Sequence, residues 1–354
     1  MNDIKMIKEL VQHRLYGTLP KDFTEQNVDL DAALRDQLRA LAPTMRAFKN
    51  NSGLIFQLIE ETLDEILPIK VDSAIAMFAE FQQVPQGSRP KFIMKTGMQR
   101  AKQYVTRATN SGVYETFRLD RKEFDIMPLT IGGAGVIDFE RYLDGLEDIT
   151  YIYEVLLTGF MDEIYKMIQL ALINSWYAVP RPANNLVYAN TFDAEEMQKL
   201  CNTVRAYGSP IIFCSPEFAM TMSDCIQYNS NPSTKERVYA ESELNEMRQY
   251  GMILSFRGVP IVVLPQSFTD ETNTNRVLNP RMAYVMPSGQ NKIVRVFREG
   301  TTQIREWDNR DNSMEVQGYI KVGVAIVSEP HNWGMYYNEE LDDGGWDYSK
   351  IVTP

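Results

Sequence analysis

The feature that most constrains this chain is one unbroken helical stripe near its centre. From Leu146 to about Trp176, the residues Ile149, Ile152, Leu156, Phe160, Ile164, Ile168 and Ala171 recur at helical spacing. Gly159 is the one weak interior position, costing ~1 kcal/mol relative to alanine. Pro180 and Pro182 end the run. At 1.5 Å per residue such a helix is a rod of roughly 45 Å. That is long for a domain in a chain of 354 residues, and a rod of this kind serves as a spine to which other elements attach.

What precedes the spine is of two kinds. Ile4, Ile7, Val11 and Leu15 form one amphipathic stripe over 3–15, and Leu30, Leu34, Leu38 and Leu41 form another over 29–42. A loop with Gly17, Pro20 and Asn27 joins them. Two short helices on a tether make an arm that needs something to pack on. A third helix is expected over about 54–67, stopping at Pro68. Residues 86–124 differ in kind: two strand-like runs, KFIMK and VYETFRL, are punctuated by Gly87, Pro90, Gly97 and Gly112. Arg89, Lys91, Lys95, Arg100, Lys102, Arg107, Arg118, Arg121 and Lys122 face three acids through residue 123, a net of +6. An isolated hairpin is marginal in water, so this one is expected to become ordered against another surface. The other reading of the residues is a solvated basic loop.

Downstream, 183–282 has the order β-α-β-α-β-β, normally one compact layer pair. Asp193 and Glu196 have the N-cap and N3 spacing of a capping box variant, with Met197, Leu200, Cys201 and Val204 as the buried stripe. Ser215-Pro216 opens a second helix. The strands MILSF and VPIVVLP follow, joined at Arg257-Gly258. The C-terminal part is expected to be β-rich: KIVRVF and TQIREW, a turn at 308–312, then Met314, Val316, Ile320, Val322, Val324 and Ile326 on one face of a strand. The segment 342–354 is an acidic tail.

Chemistry finds little material. Two histidines, His13 and His331, lie at opposite ends of the chain, too few for a His-based triad or a multi-histidine metal site. Gly132-Gly133-Ala134-Gly135 is followed by strand-like VIDF instead of a helix N-terminus, so it is expected to be a flexible bend and not a phosphate cradle. Asp308, Asn309, Asp311 and Asn312 lack calcium-loop spacing and are expected to be a hairpin turn. Cys201, Cys214 and Cys225 are odd in number, form no CxxC pair and lie in apolar stretches, as buried thiols of a reducing compartment do. No catalytic, metal-binding or cofactor-binding residue is assigned, and no cofactor is expected. No apolar run reaches the ~18 residues of a membrane span. The net charge of −11, with −17 outside the basic segment, disfavours direct binding of a phosphate backbone. A soluble, intracellular, acidic chain is expected.

The order of these parts resembles the major capsid proteins of tailed phages, whose fold is shared with encapsulins and the herpesvirus capsid floor. The likeness rests on GMILSFRGVPIVVLP, on the block SGQNKIVRVFREGTTQIREWDNRDNSMEVQGYIKVGVAIV leading to HNWG, and on the succession of arm, basic excursion, spine helix, α/β module and returning strands. It implies an α+β tailed-phage capsid fold with an N-terminal arm at 1–50 and an extended β-hairpin loop at 76–124. A peripheral domain would combine 51–75, 125–182 and 283–341, with an inserted α/β axial domain at 183–282. It also implies a non-enzymatic subunit that assembles with itself as pentamers and hexamers into an icosahedral shell in the host cytoplasm. Packaged double-stranded DNA would be enclosed without sequence-specific contact. Scaffolding, portal and decoration proteins are the further partners implied, the scaffold being a separate protein or none. Some family members cross-link lysine to asparagine. Lys95 or Lys102 with Asn309 or Asn312 would be the partners here, but no catalytic acid is assignable and the bond is not predicted. An encapsulin-like shell around protein cargo, and more remotely an enzyme on the 183–282 module, are the alternatives. Charge nominates the interface: Lys91, Lys95, Arg100, Lys102 and Arg107 on the excursion. Opposite them stand Asp144, Glu147 and Asp148 within the stretch Asp138–Glu163, whose net charge is −7.

Overall fold

In a computed structural model of the chain, the structure describes residues 40, 43–76, 78–96, 120–138, 141, 149–178, 182–224, 254–289, 292–308, 313–329 and 331–346. They fall into two compact units. One is drawn from residues up to Pro90, from Met127–Ile164 and from Val296–Gly323; the other from Lys91–Ile126, Tyr165–Arg295 and from Val324 onward. The sequence-predicted arm at 1–50 lies almost wholly outside the described residues, as do Arg100, Lys102, Arg107, Asp144, Glu147, Asp148, Cys225, the 309–312 turn and the tail from 347.

In the first unit, helix α1 spans Met45–Ile75, with the Thr44 hydroxyl accepting a hydrogen bond from the Ala47 N–H at 3.2 Å. The helix does not stop at Pro68; it runs through it. A proline inside a helix removes one hydrogen bond and costs ~3 kcal/mol. Ile66, Leu67, Val71 and Ile75 are all buried around it, and at ~1.5–3 kcal/mol for each buried side chain that burial outweighs the break. Strands β1 (Ala79–Val84) and β4 (Leu129–Asp138) are the edges of a four-stranded sheet. β10 (Val294–Asp308) and β11 (Ser313–Ile326) lie between them, giving the order β1-β10-β11-β4. KIVRVF and TQIREW thus belong to one strand, which passes through Gly300 at φ +70°. The face alternation expected along β11 holds through Val316, Ile320 and Val322 and then shifts, because Ala325 is buried while Val324 and Ile326 are half-buried.

The glycine run expected as a bend is the β4 strand itself. β4 pairs antiparallel with β11 so that Gly133 stands opposite Gly318. The spine is helix α2, Ile149–Ala178, and its Leu156 occupies the notch over this pair. A Cβ on Gly133 would come within 2.8 Å of Leu156 Cδ2, and one on Gly318 within 3.5 Å of Leu156 Cδ1. Leu156, Phe160, Ile164 and Ile168 of the predicted stripe are buried, joined by Leu157, Tyr165, Leu172 and Ile173.

A buried ion pair ties α1 to β10. The Arg298 guanidinium, 1% exposed, donates through Nη2 to Asp64 Oδ1 and to the Thr302 hydroxyl at 2.7 Å. The Thr302 N–H donates to the same Asp64 oxygen at 2.7 Å. Next along β10, Glu299 accepts from the Gly87 N–H at 2.8 Å and lies 3.7 Å from Lys321 Nζ.

The second unit is built on a six-stranded sheet of order β5-β12-β9-β6-β8-β7, with β5 at Leu186–Ala189, β6 at Ser209–Cys214, β7 at Ser255–Phe256, β8 at Val259–Val263, β9 at Met282–Ser288 and β12 at Gly334–Asn338. Helices α3 (Ala194–Arg205) and α4 (Pro216–Asp224) complete the β-α-β-α-β-β order read from the sequence. Two strands, β9 and β12, enter the sheet from beyond residue 282. Asp193 caps α3, accepting from the N–H groups of Glu195 (2.8 Å) and Glu196 (3.3 Å), and Ser215 caps α4 through the Phe218 N–H at 3.3 Å. Arg257 and Gly258 both have positive φ, the two-residue hairpin geometry. Phe192 packs edge-on to Phe218 and Phe256, with ring centroids 6.0 and 6.1 Å away. Cys201 and Cys214 are free thiols in this core. Burial pushes the Cys201 thiol up to about 11 and Cys214 higher still, so both are inert near neutrality.

Asp64→Ala should destabilise the folded subunit by roughly 3–5 kcal/mol, because it strands a buried guanidinium. The double variant Asp64→Leu/Arg298→Met should recover most of that loss in a urea denaturation series.

Candidate assembly interface

Of the eight residues nominated by charge, the structure places two, Lys91 and Lys95, on β2 (Lys91–Thr96). Its partner is β3 at Asp120–Asp125, C-terminal to the VYETFRL run expected to supply the second strand. Residues 113–119 lie outside the described residues. The two strands form an antiparallel ribbon and, among the described residues, pair only with each other. The register sets Lys91 opposite Asp125 and Phe92 opposite Phe124, but Lys95 directly opposite Arg121. Like charges at one register position destabilise a strand pair. Phe92 is buried whereas Ile93 is exposed. The two strands carry four bases against three acids, on a two-stranded scaffold that is marginal in isolation.

Of the acidic stretch expected as its counterpart, only part lies among the described residues. Asp144, Glu147 and Asp148 precede the described start of α2. From Ile149 to Ile164 the helix carries Glu154, Asp162 and Glu163 and no lysine or arginine. What charge arithmetic missed is apolar: Tyr151 and Val155 on the same helix are 65% and 53% exposed. Their spacing of four residues was readable, but a hydrophobic stripe does not say which of its neighbours faces solvent.

The remaining polar groups hold the fold in place. Asn185 Nδ2 donates to the carbonyls of His331 (3.0 Å) and Trp333 (2.8 Å), fixing the HNWG bend. His331 Nε2 lies 2.9 Å from Glu329, with its ring 5.3 Å from that of Tyr207. Gln169 and Gln266 each clasp the backbone of one residue. Asn279 N–H donates to Gln169 Oε1 and Leu278 N–H to Gln266 Oε1, both at 2.9 Å, and each amide returns a bond to the same residue's carbonyl. Asp270 accepts from the N–H groups of Thr274 and Asn275, and from the hydroxyls of Thr272 and Thr274; those bonds hold its carboxyl well below the usual range. A cleft of about 400 Å³ beside β5 and α3 is lined by Asn184, Leu186, Leu200 and the Glu196–Lys199 ion pair. Among the described residues no group of His, Cys, Asp and Glu could hold a metal ion, and no helix is long and apolar enough to cross a membrane.

A helix seated on a four-stranded sheet, a six-stranded α/β sheet unit and a two-stranded ribbon define the class: this is the fold of phage-type capsid subunits. It is similar to a structure titled "Capsid of native GTA particle computed with C5 symmetry", at 10% identity, TM-score 0.51, covering 75% of this chain and 90% of that one. The Microbacterium phage Oxtober96 structure matches at 10% identity and TM-score 0.48 over 75% and 90%. The SrpI encapsulin of Synechococcus elongatus PCC 7942 matches at 10% identity and TM-score 0.40 over 77% and 88%. No curated protein sequence matches. By sequence, residues 19–335 match the family described as "SPbeta prophage-derived putative capsid protein YonB", and the chain belongs to that family. It is a phage capsid protein.

The ribbon geometry has a direct test. Arg121→Glu replaces the like-charge pair by an opposite one worth ~0.2–1 kcal/mol. Amide hydrogen exchange across β2 and β3 of the isolated subunit should slow by up to about fivefold.

Proposed function

We propose that this chain is the major shell subunit, and that its copies gather as pentamers and hexamers into an icosahedral shell around phage double-stranded DNA. The sheet unit to which residues 183–282 contribute most acts as the axial domain. The segments around α1, β4, α2 and the returning strands β10 and β11 act as the peripheral domain. The subunit works by assembly and not by catalysis, inside the host cytoplasm, with scaffolding, portal and decoration proteins as its further partners and no sequence-specific hold on DNA.

The observation that carries this reading is the ribbon. It sets Lys95 against Arg121 at one register position within a segment of net charge +6. An excess of base over acid in one segment is what an anionic neighbour would neutralise. The complementary surface on an adjoining copy is the stretch Asp138–Glu163, of net charge −7. Single exposed ion pairs contribute only ~0.2–1 kcal/mol, so no one bridge decides assembly. Several pairs repeated around a ring reach a few kcal/mol per subunit.

Sedimentation and negative-stain imaging of the full chain near neutral pH should show closed or partly closed shells. A compact monomer under every condition, added scaffold included, counts against the assignment. Reversing Arg100, Lys102 and Arg107 to glutamate should impair assembly while the subunit stays folded. Assembly should also slow as salt rises, because the screening length is about 8 Å at physiological ionic strength. Normal shell yield from the triple variant would remove the charge-matching idea and leave the capsid assignment standing.

A further inference from the structure

A strand at the edge of a sheet presents a row of N–H and C=O groups to any other strand, and proteins guard such edges with charge, proline, a bulge or brevity. Most edges among the described residues are guarded. β1 is six residues long and contains Glu80, β5 has four residues and β7 two, and both strands of the β2–β3 ribbon are charged. β4 is guarded by none of these. It has ten residues and forms one edge of the four-stranded sheet, with β11 as its partner among the described residues. Its register with β11 runs from Leu129 to Asp138 without a bulge. From Leu129 to Ile137 it holds neither charge nor proline.

Charge also says which strand fits this edge. The basic segment 86–123, of net charge +6, finds no complement on a neutral strand. An antiparallel pair about a two-fold axis sets a strand against itself, so a charge near the axis would meet its like. β4 meets that condition. Its first charge is Asp138 at the far end, and in a self-pair centred on the strand the two copies of Asp138 stand roughly 30 Å apart, well past the screening length. The middle of the strand is Gly132-Gly133-Ala134-Gly135, with nothing bulky to hold a second strand off, and Leu129 and Val136 toward the ends are 62% and 57% exposed.

We propose that the free edge of β4 is a contact between two copies of the chain, the two β4 strands pairing antiparallel across a two-fold axis. Two four-stranded sheets then join into one of eight strands. In an icosahedral shell two-fold axes lie between neighbouring rings, so this pairing links one ring to the next. Its strength comes from backbone hydrogen bonds between uncharged strands, which salt screens little. A strand pair of this length buries too little surface to hold an isolated dimer; it acts as one contact among the several of a shell. The inference rests on the shell reading above.

The test uses the full chain as wild type, Ala134→Lys and Ala134→Glu, because Ala134 is exposed at the middle of the strand. Shell yield is measured by sedimentation. Each variant alone should lose about tenfold in yield, since like charges then meet near the axis. An equal mixture of the two should recover most of the wild-type yield, since lysine then faces glutamate; that recovery also shows that both variants fold. Amide hydrogen exchange gives a second readout. Amides of β4 that point away from β11 should exchange freely in the unassembled wild type and slow about tenfold or more in shells. Three results would each overturn the inference while leaving the shell reading intact: wild-type yield from Ala134→Lys, loss in both variants without recovery in the mixture, or full protection of β4 in the unassembled subunit. A wild type that forms no shells under any condition would sink the shell reading, and the inference with it.

Discussion

A helix of thirty residues can settle on a sheet only as closely as the side chains between them allow, and at Gly133 and Gly318 there are none. The two glycines face each other across the β4–β11 ladder, and Leu156 occupies the room they leave. Slipping β4 by one residue along β11 would turn Gly133 to the other face and set Gly132 or Ala134 opposite Gly318 in its place. Register, helix depth and helix rotation are thus fixed together. With Leu156 and Phe160 inward, Tyr151 and Val155 are left outward.

Elsewhere the fold relies on buried polar groups that recognise backbone. Asp64 joins a buried guanidinium to the N–H of Thr302. Gln169 and Gln266 pair with Asn279 and Leu278 as a neighbouring strand would. Each contact specifies a geometry that apolar packing alone would leave open, because an unmatched buried amide or charge costs far more than a slightly misplaced methyl. Asp64 and Arg298 are far apart in sequence, which is why pattern reading missed their contact.

The proposed assembly reading rests on what a single copy leaves exposed. A two-stranded ribbon is marginal alone, and Tyr151 and Val155 are exposed on α2. On the proposed reading a neighbouring copy would cover such surfaces.

The sequence by itself determined the elements whose information is local. Helical periodicity marked the spine from Ile149 on, Asp193 and Ser215 marked two helix starts, and the Arg257-Gly258 pair marked a hairpin. The order of the parts was enough to place the chain among phage capsid subunits, and the family match agrees. Tertiary structure alone decided the rest. Helix α1 crosses Pro68 because burial on both sides outweighs one lost hydrogen bond. The glycine run is a strand because β11 supplies its ladder and Leu156 needs its space. β9 and β12 join a sheet begun a hundred residues earlier, and the described strand that pairs with β2 is Asp120–Asp125. A period of two says that a segment is a strand but carries no name for its partner. Partners are chosen by shape and burial across long sequence separations, and those exist only once the chain has folded.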